Sequence, residues 1–246
     1  MSVAPPRGSV AVLTGAGISA ESGLSTFRGA GGLWEGHRVE EVAHPSAWAR
    51  DPVTVWRFYE ARRVQAAACA PNKGHLGLAR LERRLGGRFT LATQNVDGLH
   101  GQAGSANVLE LHGSLWRVRC TACGREEENR TVPLPVLPPR CAACGGLQRP
   151  AIVWFGEVLP EDVFTAAMEA ASRCALFLIV GTSAVVQPAA SLAVIAADGG
   201  AQVWEINPDE TPATGVCDRI WRAPAGEVMD DVVEEAIRWV SGAGSR

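Results

Sequence analysis

Three observations predict an α/β protein, a doubly wound parallel Rossmann-like sheet with a smaller lobe attached. Short, almost wholly apolar runs alternate with stretches of helical spacing, the pattern of parallel strands buried on both faces. The first run ends directly in Gly15-Ala16-Gly17-Ile18-Ser19-Ala20, which matches the G-x-G-x-x-G/A turn that brings backbone N–H groups close to a pyrophosphate. Two segments interrupt the alternation, and one of them holds two C-x-x-C pairs.

In chain order, Ser9–Thr14 is the first expected parallel strand, and Phe89–Thr93, Val108–Leu111, Ala151–Phe155, Ala175–Val180 and Gln202–Ile206 repeat its character. The segment 29–72 starts as a Gly-rich loop and continues into a helix, with Asp51 as its N-cap and Pro52 in its first turn. Glu161–Arg173 has apolar residues at helical spacing, and Pro188–Ala197 is rich in helix formers. The last helix, roughly Glu227–Val240, aligns Met229, Val232, Val233, Ile237 and Val240 on one face, a core stripe. The expected division is a sheet domain of 1–30, 76–115 and 151–246, a helical part of the small lobe at 31–75, and a cysteine module at 116–150. A cleft between the two lobes is the expected ligand site.

The cysteine module carries the strongest local signal. Cys120-x-x-Cys123 and Cys141-x-x-Cys144 present four sulfurs, the set a closed tetrahedral zinc site requires. With every position filled by a thiolate, no place is left for a reacting water, so one structural Zn2+ is expected. Cys69, Cys174 and Cys217 remain, without paired spacing, as reduced thiols of a cytoplasmic protein would. The opening Met-Ser-Val-Ala-Pro-Pro-Arg-Gly is too short and polar to read as a secretory signal. No apolar run reaches membrane-spanning length. A net charge of -3 and a pI near 6.0 argue against a nucleic-acid surface. Self-association is not legible, and a monomer is compatible with everything above.

The glycine turn alone would suit a dehydrogenase, which needs an acidic residue at a second strand end about 20 positions on. Glu40 and Glu41 stand near that distance, but their surroundings do not read as a strand. Thr93-Gln94-Asn95-Val96-Asp97-Gly98 brings two amides and a carboxylate to another strand end. Asn95 and Asp97 suit a carboxamide and a ribose, although an Asx-rich turn would look the same. His112 ends a third run and is a candidate general base, since imidazole titrates near neutrality. Gly181-Thr182-Ser183 follows a fourth run and is expected to open a helix, a second anion-friendly terminus.

Taken together, Gly15–Arg28, Thr93–His100, Glu110–Gly113, the two cysteine pairs, Val153-Trp154-Phe155-Gly156-Glu157 and Gly181–Ser183 resemble the sirtuins, NAD-dependent protein lysine deacylases. The motifs occur in family order and cover nearly the whole chain. Ser25, where the family usually has proline, and Ala151, where a polar residue is common, are small departures. The resemblance implies that NAD is consumed rather than reduced. An acylated lysine of a protein attacks the ribose carbon bearing nicotinamide, and His112 acts as base on a ribose hydroxyl. It further implies that Asn95 and Asp97 orient the nicotinamide end and take part in catalysis. Gly15, Ala16, Gly17, Ser19, Ala20, Thr26, Phe27, Arg28, Trp34, Gln94 and Val96 would hold NAD from one side. Gly181, Thr182, Ser183, Asn207, Pro208, Asp209 and Ala225 would hold it from the other. Val153–Glu157 would take the peptide as an added strand. Ala43, Tyr59 and Arg62 look like the residues that mark the desuccinylating and demalonylating class, Tyr59 and Arg62 being one helical turn apart. Rival readings are a plain deacetylase, ADP-ribosyl transfer, and a non-catalytic module binding NAD or acyl-lysine.

Overall fold

A computed structural model describes residues 8–25, 33–34 and 37–242. The chain runs β1 (Val10–Thr14), α1 (Gly17–Ala20), β2 (Leu33–Trp34), β3 (His37–Arg38), α2 (Val39–Val42), α3 (Pro45–Arg50), α4 (Pro52–Ala68) and α5 (Lys73–Leu85). It continues through β4 (Phe89–Thr93), α6 (Leu99–Gln102), β5 (Val108–Glu110), β6 (Gly113–Cys120), β7 (Glu126–Glu128) and β8 (Gln148–Ile152). The remainder is α7 (Glu161–Arg173), β9 (Leu176–Val180), α8 (Ser191–Asp198), β10 (Gln202–Ile206), β11 (Arg219–Trp221) and α9 (Ala225–Val240).

Every residue of β1 and β9 is buried, as their almost wholly apolar runs require. They pair in parallel at the centre of a sheet ordered β11-β10-β9-β1-β4-β5. Numbered by their order in the chain, these strands lie 3-2-1-4-5-6 when read from β5, the doubly wound arrangement whose ligand crevice opens where the strand order reverses. Here that point lies between β1 and β9. One face is closed by α5 and α9, with Leu78, Leu81, Met229, Val232 and Val233 packed on Val12 and Leu178. Ile237 of the expected α9 stripe is only partly buried at its edge. The other face is closed by α7 and α8, where Ala171, Leu192 and Ala196 meet Leu13 and Ile179.

The small lobe has its own core. Val55, Trp56, Phe58 and Tyr59 of α4 pack on Leu115, Trp116 and Val118 of β6 and on Ile152 and Trp154. Asp51 caps α4 as expected, accepting from the N–H groups of Val53 and Thr54 at 3.0 and 3.1 Å. Arg63 has no exposed surface. Its guanidinium donates to the carbonyls of Leu115, Asn129 and Thr131 and to Asn129 Oδ1, at 2.8–3.0 Å. Glu60 completes the tie by accepting from Leu134 N at 2.7 Å. One helix therefore pins the loop between the cysteine knuckles.

Three expectations are corrected. Ala151–Phe155 is not a strand of the parallel sheet. Its first two residues end β8, which pairs antiparallel with β6, and the rest is an irregular segment. A short apolar run reports burial, not the sheet that buries it. Consequently β6 and β8 each run straight through an expected boundary, at 115/116 and 150/151. Lastly, Gly181–Ser183 opens no helix: Ala184 takes a left-handed φ of 52°, and Pro188 lacks an N–H and disfavours helix in the residue before it. Helix α8 starts at Ser191 rather than Pro188.

Candidate active site

The C-terminal ends of the parallel strands deliver the chemistry to one place. The turn after β1 packs on the turn after β9: Gly15 N donates to Val180 O at 3.1 Å, and Gly17 N to Gly181 O at 2.7 Å. A Cβ on Gly17 would lie 2.6 Å from that oxygen, and Gly181 has φ +59° with only 2.3 Å to Ile18 N. Both positions therefore require glycine, which keeps the two backbones close at the mouth of the crevice. Beyond them opens a cleft of about 760 Å³, within the range of small-molecule sites.

The floor is formed by the segment after β4. Asn95 is buried and donates through Nδ2 to Gly15 O at 3.1 Å and Ser19 Oγ at 3.2 Å. Asp97 is also buried. It accepts from Ser19 Oγ at 2.8 Å and from Leu99 N at 2.9 Å. The second bond is the Asx turn, so the turn and the cleft-facing carboxylate are the same feature. Burial raises the Asp97 carboxyl pKa, opposed by the bonds from Leu99 and Ser19 and by the charge of Arg62. Gln94 Nε2 donates to Thr182 Oγ1 at 2.8 Å, and Asn207 Nδ2 to Thr182 O at 2.7 Å, which ties the three strand ends together.

His112 closes the cleft at the β5–β6 junction. Its Nδ1 lies 3.1 Å from Gln94 O. A carbonyl only accepts, so Nδ1 bears the proton and Nε2 keeps the lone pair. Burial lowers the imidazole pKa below 6.5, partly offset by that hydrogen bond, leaving a neutral base near pH 7. Val153–Glu157 adjoins it along the cleft. Val153 N donates to His112 O at 2.9 Å, and Phe155 N to Ala43 O at 3.0 Å, bridging sheet domain and small lobe.

Gly15, Ala16, Gly17, Ser19, Gln94, Asn95, Val96, Asp97 and His112 line this one cleft with Gly181, Thr182, Ser183, Asn207 and Asp209. So do Ala43, Tyr59, Arg62 and Val153–Glu157. Ala20, Pro208 and Ala225 do not; Ala20 and Pro208 are exposed, and Ala225 belongs to the core beneath α9. Thr26, Phe27 and Arg28 lie outside the described residues, as does the side chain of Trp34. Glu40 and Glu41 sit exposed on α2, far from the role a dehydrogenase acid would fill. Sequence reasoning missed Leu24, Leu115 and Val185–Pro188, which also line the cleft. It also missed a buried pair behind Ser19. His75 Nε2 lies 3.3 Å from Ser19 Oγ, the His75 and His100 rings are 4.9 Å apart, and His100 Nε2 lies 2.9 Å from Thr14 Oγ1. Burial lowers the His75 pKa to about 4 and the His100 pKa to about 3. Isolated histidines carried no signal, because only the fold brings them together.

The four cysteine sulfurs all lie within 4.8 Å of one another. Cys120 Sγ is 3.5 Å from Cys144 Sγ, and Cys123 Sγ is 3.9 Å from Cys141 Sγ. A tetrahedron with Zn–S bonds of about 2.3 Å needs sulfurs roughly 3.8 Å apart, so the set fits a structural zinc ion held by these four residues.

The Sir2 family model matches residues 15–188 of the chain. The chain belongs to the Sir2 family. Among its relatives is the NAD-dependent protein deacylase 1 of Archaeoglobus fulgidus, 52% identical over 230 residues, covering 93% of each chain. A solved Sir2 homolog–NAD complex is 49% identical with a TM-score of 0.87, over 94% of this chain and 90% of that one. A Sir2–p53 peptide–NAD+ structure is 33% identical with a TM-score of 0.80, covering 92% of both. The fold of this Sir2 protein is thus that of a family whose solved structures include complexes with NAD.

Proposed function

We propose that the protein is an NAD-dependent protein lysine deacylase whose acyl pocket takes carboxylate-ended groups, succinyl and malonyl, as well as acetyl. The observation that carries the reading is one cleft bounded by Asn95 and Asp97, by His112, and by Tyr59 and Arg62. NAD is the co-substrate. The acyl-lysine oxygen displaces nicotinamide from the ribose. His112 Nε2, fixed as acceptor by the Gln94 carbonyl, takes the proton of the ribose hydroxyl that then attacks the acyl carbon. With one water consumed, free lysine, nicotinamide and 2′-O-acyl-ADP-ribose result. Asn95 and Asp97 orient the nicotinamide end, backed by Ser19. Val153–Glu157 would take an extended peptide alongside it through the carbonyls and the Gly156 N–H that its own bonds leave over, with Phe155 exposed beside it. Zinc, held by Cys120, Cys123, Cys141 and Cys144, would brace the small lobe.

The acyl preference rests on α4. Tyr59 has no exposed surface and Arg62 is 9% exposed, so neither is a surface residue of a solvated helix face. A buried guanidinium in a cleft is a fork for a carboxylate. Ala43, at 2% exposure, leaves room for the longer acyl chain. The thiols of Cys69, Cys174 and Cys217 suit a reducing, cytoplasmic setting. The test is turnover on matched acetyl-, malonyl- and succinyl-lysine peptides with Arg62→Met. A fall of about 10-fold or more in the succinyl-to-acetyl ratio is expected for loss of a charge-assisted pair. Equal loss on both substrates would count against the clamp.

A further inference from the structure

Trp154 stands in the peptide-facing run, yet it is 2% exposed and turned into the small lobe. Its Nε1 donates to Tyr59 Oη at 3.0 Å. The two rings lie 6.5 Å apart at 27°, and Trp48 packs on the indole's other surroundings at 6.0 Å. Arg149 lies over the indole with its guanidinium carbon 3.2 Å from the ring centroid. That arginine is itself held: Glu157 accepts two bonds from it at 2.6 and 2.9 Å, and Ile152 O a third at 2.8 Å. Glu157 Oε2 also accepts from Trp154 N at 2.8 Å. The indole is therefore fixed in plane and in depth by a cation on its face and a carboxylate on its backbone.

The polarity of the Trp154–Tyr59 bond is not open to choice. An indole N–H only donates, so the tyrosine oxygen accepts here and its own proton must point elsewhere. Burial raises the phenol's pKa above its ordinary value, only partly opposed by the Trp154 bond and by the charges of Arg149 and Arg62, so the hydroxyl keeps that proton. We propose that Trp154, held by the Arg149–Glu157 pair, is a positioning residue for acyl specificity. It occupies an acceptor site of the Tyr59 oxygen and thereby fixes the direction in which the hydroxyl presents its proton to the carboxylate end of an acidic acyl group. Trp154 and Glu157 both line the cleft, and their effect on specificity runs through Tyr59. The inference rests on the reading of Tyr59 and Arg62 as an acyl clamp, and it adds the groups that set the clamp's polarity.

The experiment is steady-state kinetics of the full chain on matched succinyl- and acetyl-lysine peptides, for Trp154→Phe, Tyr59→Phe, the double variant, Arg149→Lys and Arg62→Met. Phenylalanine keeps a ring under Arg149 but removes the N–H together with the indole's second ring. Trp154→Phe is expected to lower the succinyl-to-acetyl ratio of kcat/KM about 10-fold, mainly through the KM for the succinyl peptide. In the Tyr59→Phe background the same change should move the ratio no further, because the two residues act through one hydroxyl. Arg149→Lys, which leaves the indole in place but loosens its hold, should lower the ratio by a smaller factor. It keeps the test open if Trp154→Phe does not fold. Parallel loss on both peptides, or an undiminished effect of Trp154→Phe in the Tyr59→Phe background, would overturn the positioning role. If Arg62→Met leaves the ratio as in the parent, the clamp itself falls. If Arg62→Met collapses the ratio while Trp154→Phe and Arg149→Lys do not, only the role of Trp154 falls.

Discussion

Replacing Arg63 by methionine isolates how the four-cysteine module is held to α4. The guanidinium satisfies three backbone carbonyls, Leu115, Asn129 and Thr131, plus the Asn129 side chain. It also faces Glu60 Oε2 at 3.6 Å with 1% and 10% of the two side chains exposed. Methionine fills much of the volume and returns none of those bonds. Three carbonyls losing a donor at about 1–1.5 kcal/mol each give roughly 3–4.5 kcal/mol. That agrees with the 3–5 kcal/mol typical of breaking a buried ion pair from one side. The control is Arg80→Met, whose partner Asp230 lies at 2.8 Å but with 38% and 68% of the side chains exposed; such a pair contributes about 1 kcal/mol or less. Equilibrium denaturant unfolding of the zinc-loaded protein reads both, and zinc release to a chromogenic chelator should be faster in the Arg63 variant alone. An Arg63→Met loss no greater than that of Arg80→Met would refute the assignment of Arg63 as the tie.

Other consequences are equally direct. His112→Asn should lower turnover by about 10²–10⁴-fold, the usual worth of a general base, while calorimetric NAD affinity stays close to the parent. Because burial lowers the His112 pKa, the acid limb of kcat/KM should have its midpoint below 6.5 rather than above it. His75 and His100, lowered to about 4 and about 3, are neutral in the folded protein and take up protons more readily when unfolded. Their contribution is present above pH 6.5 and is lost as pH falls toward 4, with a slope of at most about 2.7 kcal/mol per pH unit for two protons. Urea midpoints measured from pH 7 to 4.5 should fall accordingly, and His75→Gln should flatten the curve. Chelation or Cys141→Ser should release zinc and abolish turnover by loosening the 120–147 module, with the far-ultraviolet signal of the sheet domain largely kept.

What the sequence disclosed follows from how local each signal is. The cysteine pairs are legible because two residues between sulfurs already define a knuckle, and the structure needs only to bring the knuckles together. Asp51 and Pro52 mark the start of α4 by cap chemistry confined to one turn. The glycines at 15, 17 and 181 announce a tight turn, although their reason is contact with one another across β1 and β9. The failures were non-local. Ala151–Phe155 has the composition of a core strand, and only the register of β8 against β6 reveals that Ala151 and Ile152 belong to the small-lobe sheet, while Phe155 ends exposed. Helix α5 went unmarked despite its capping box at Asn72 and His75, because Lys73–Leu85 interleaves arginines with its apolar stripe. His75 and His100 are far apart in sequence, so their pairing exists only after folding.

The central claim is transfer of the acyl group to ADP-ribose, and a single measurement addresses it. The protein is incubated with NAD and an acyl-lysine peptide, and all products are followed by mass spectrometry. Nicotinamide, deacylated peptide and O-acyl-ADP-ribose should appear in equal amounts, with no nicotinamide released when the peptide is omitted. Peptide that gains the mass of ADP-ribose and keeps its acyl group, or NAD consumed without deacylated peptide, would contradict the account.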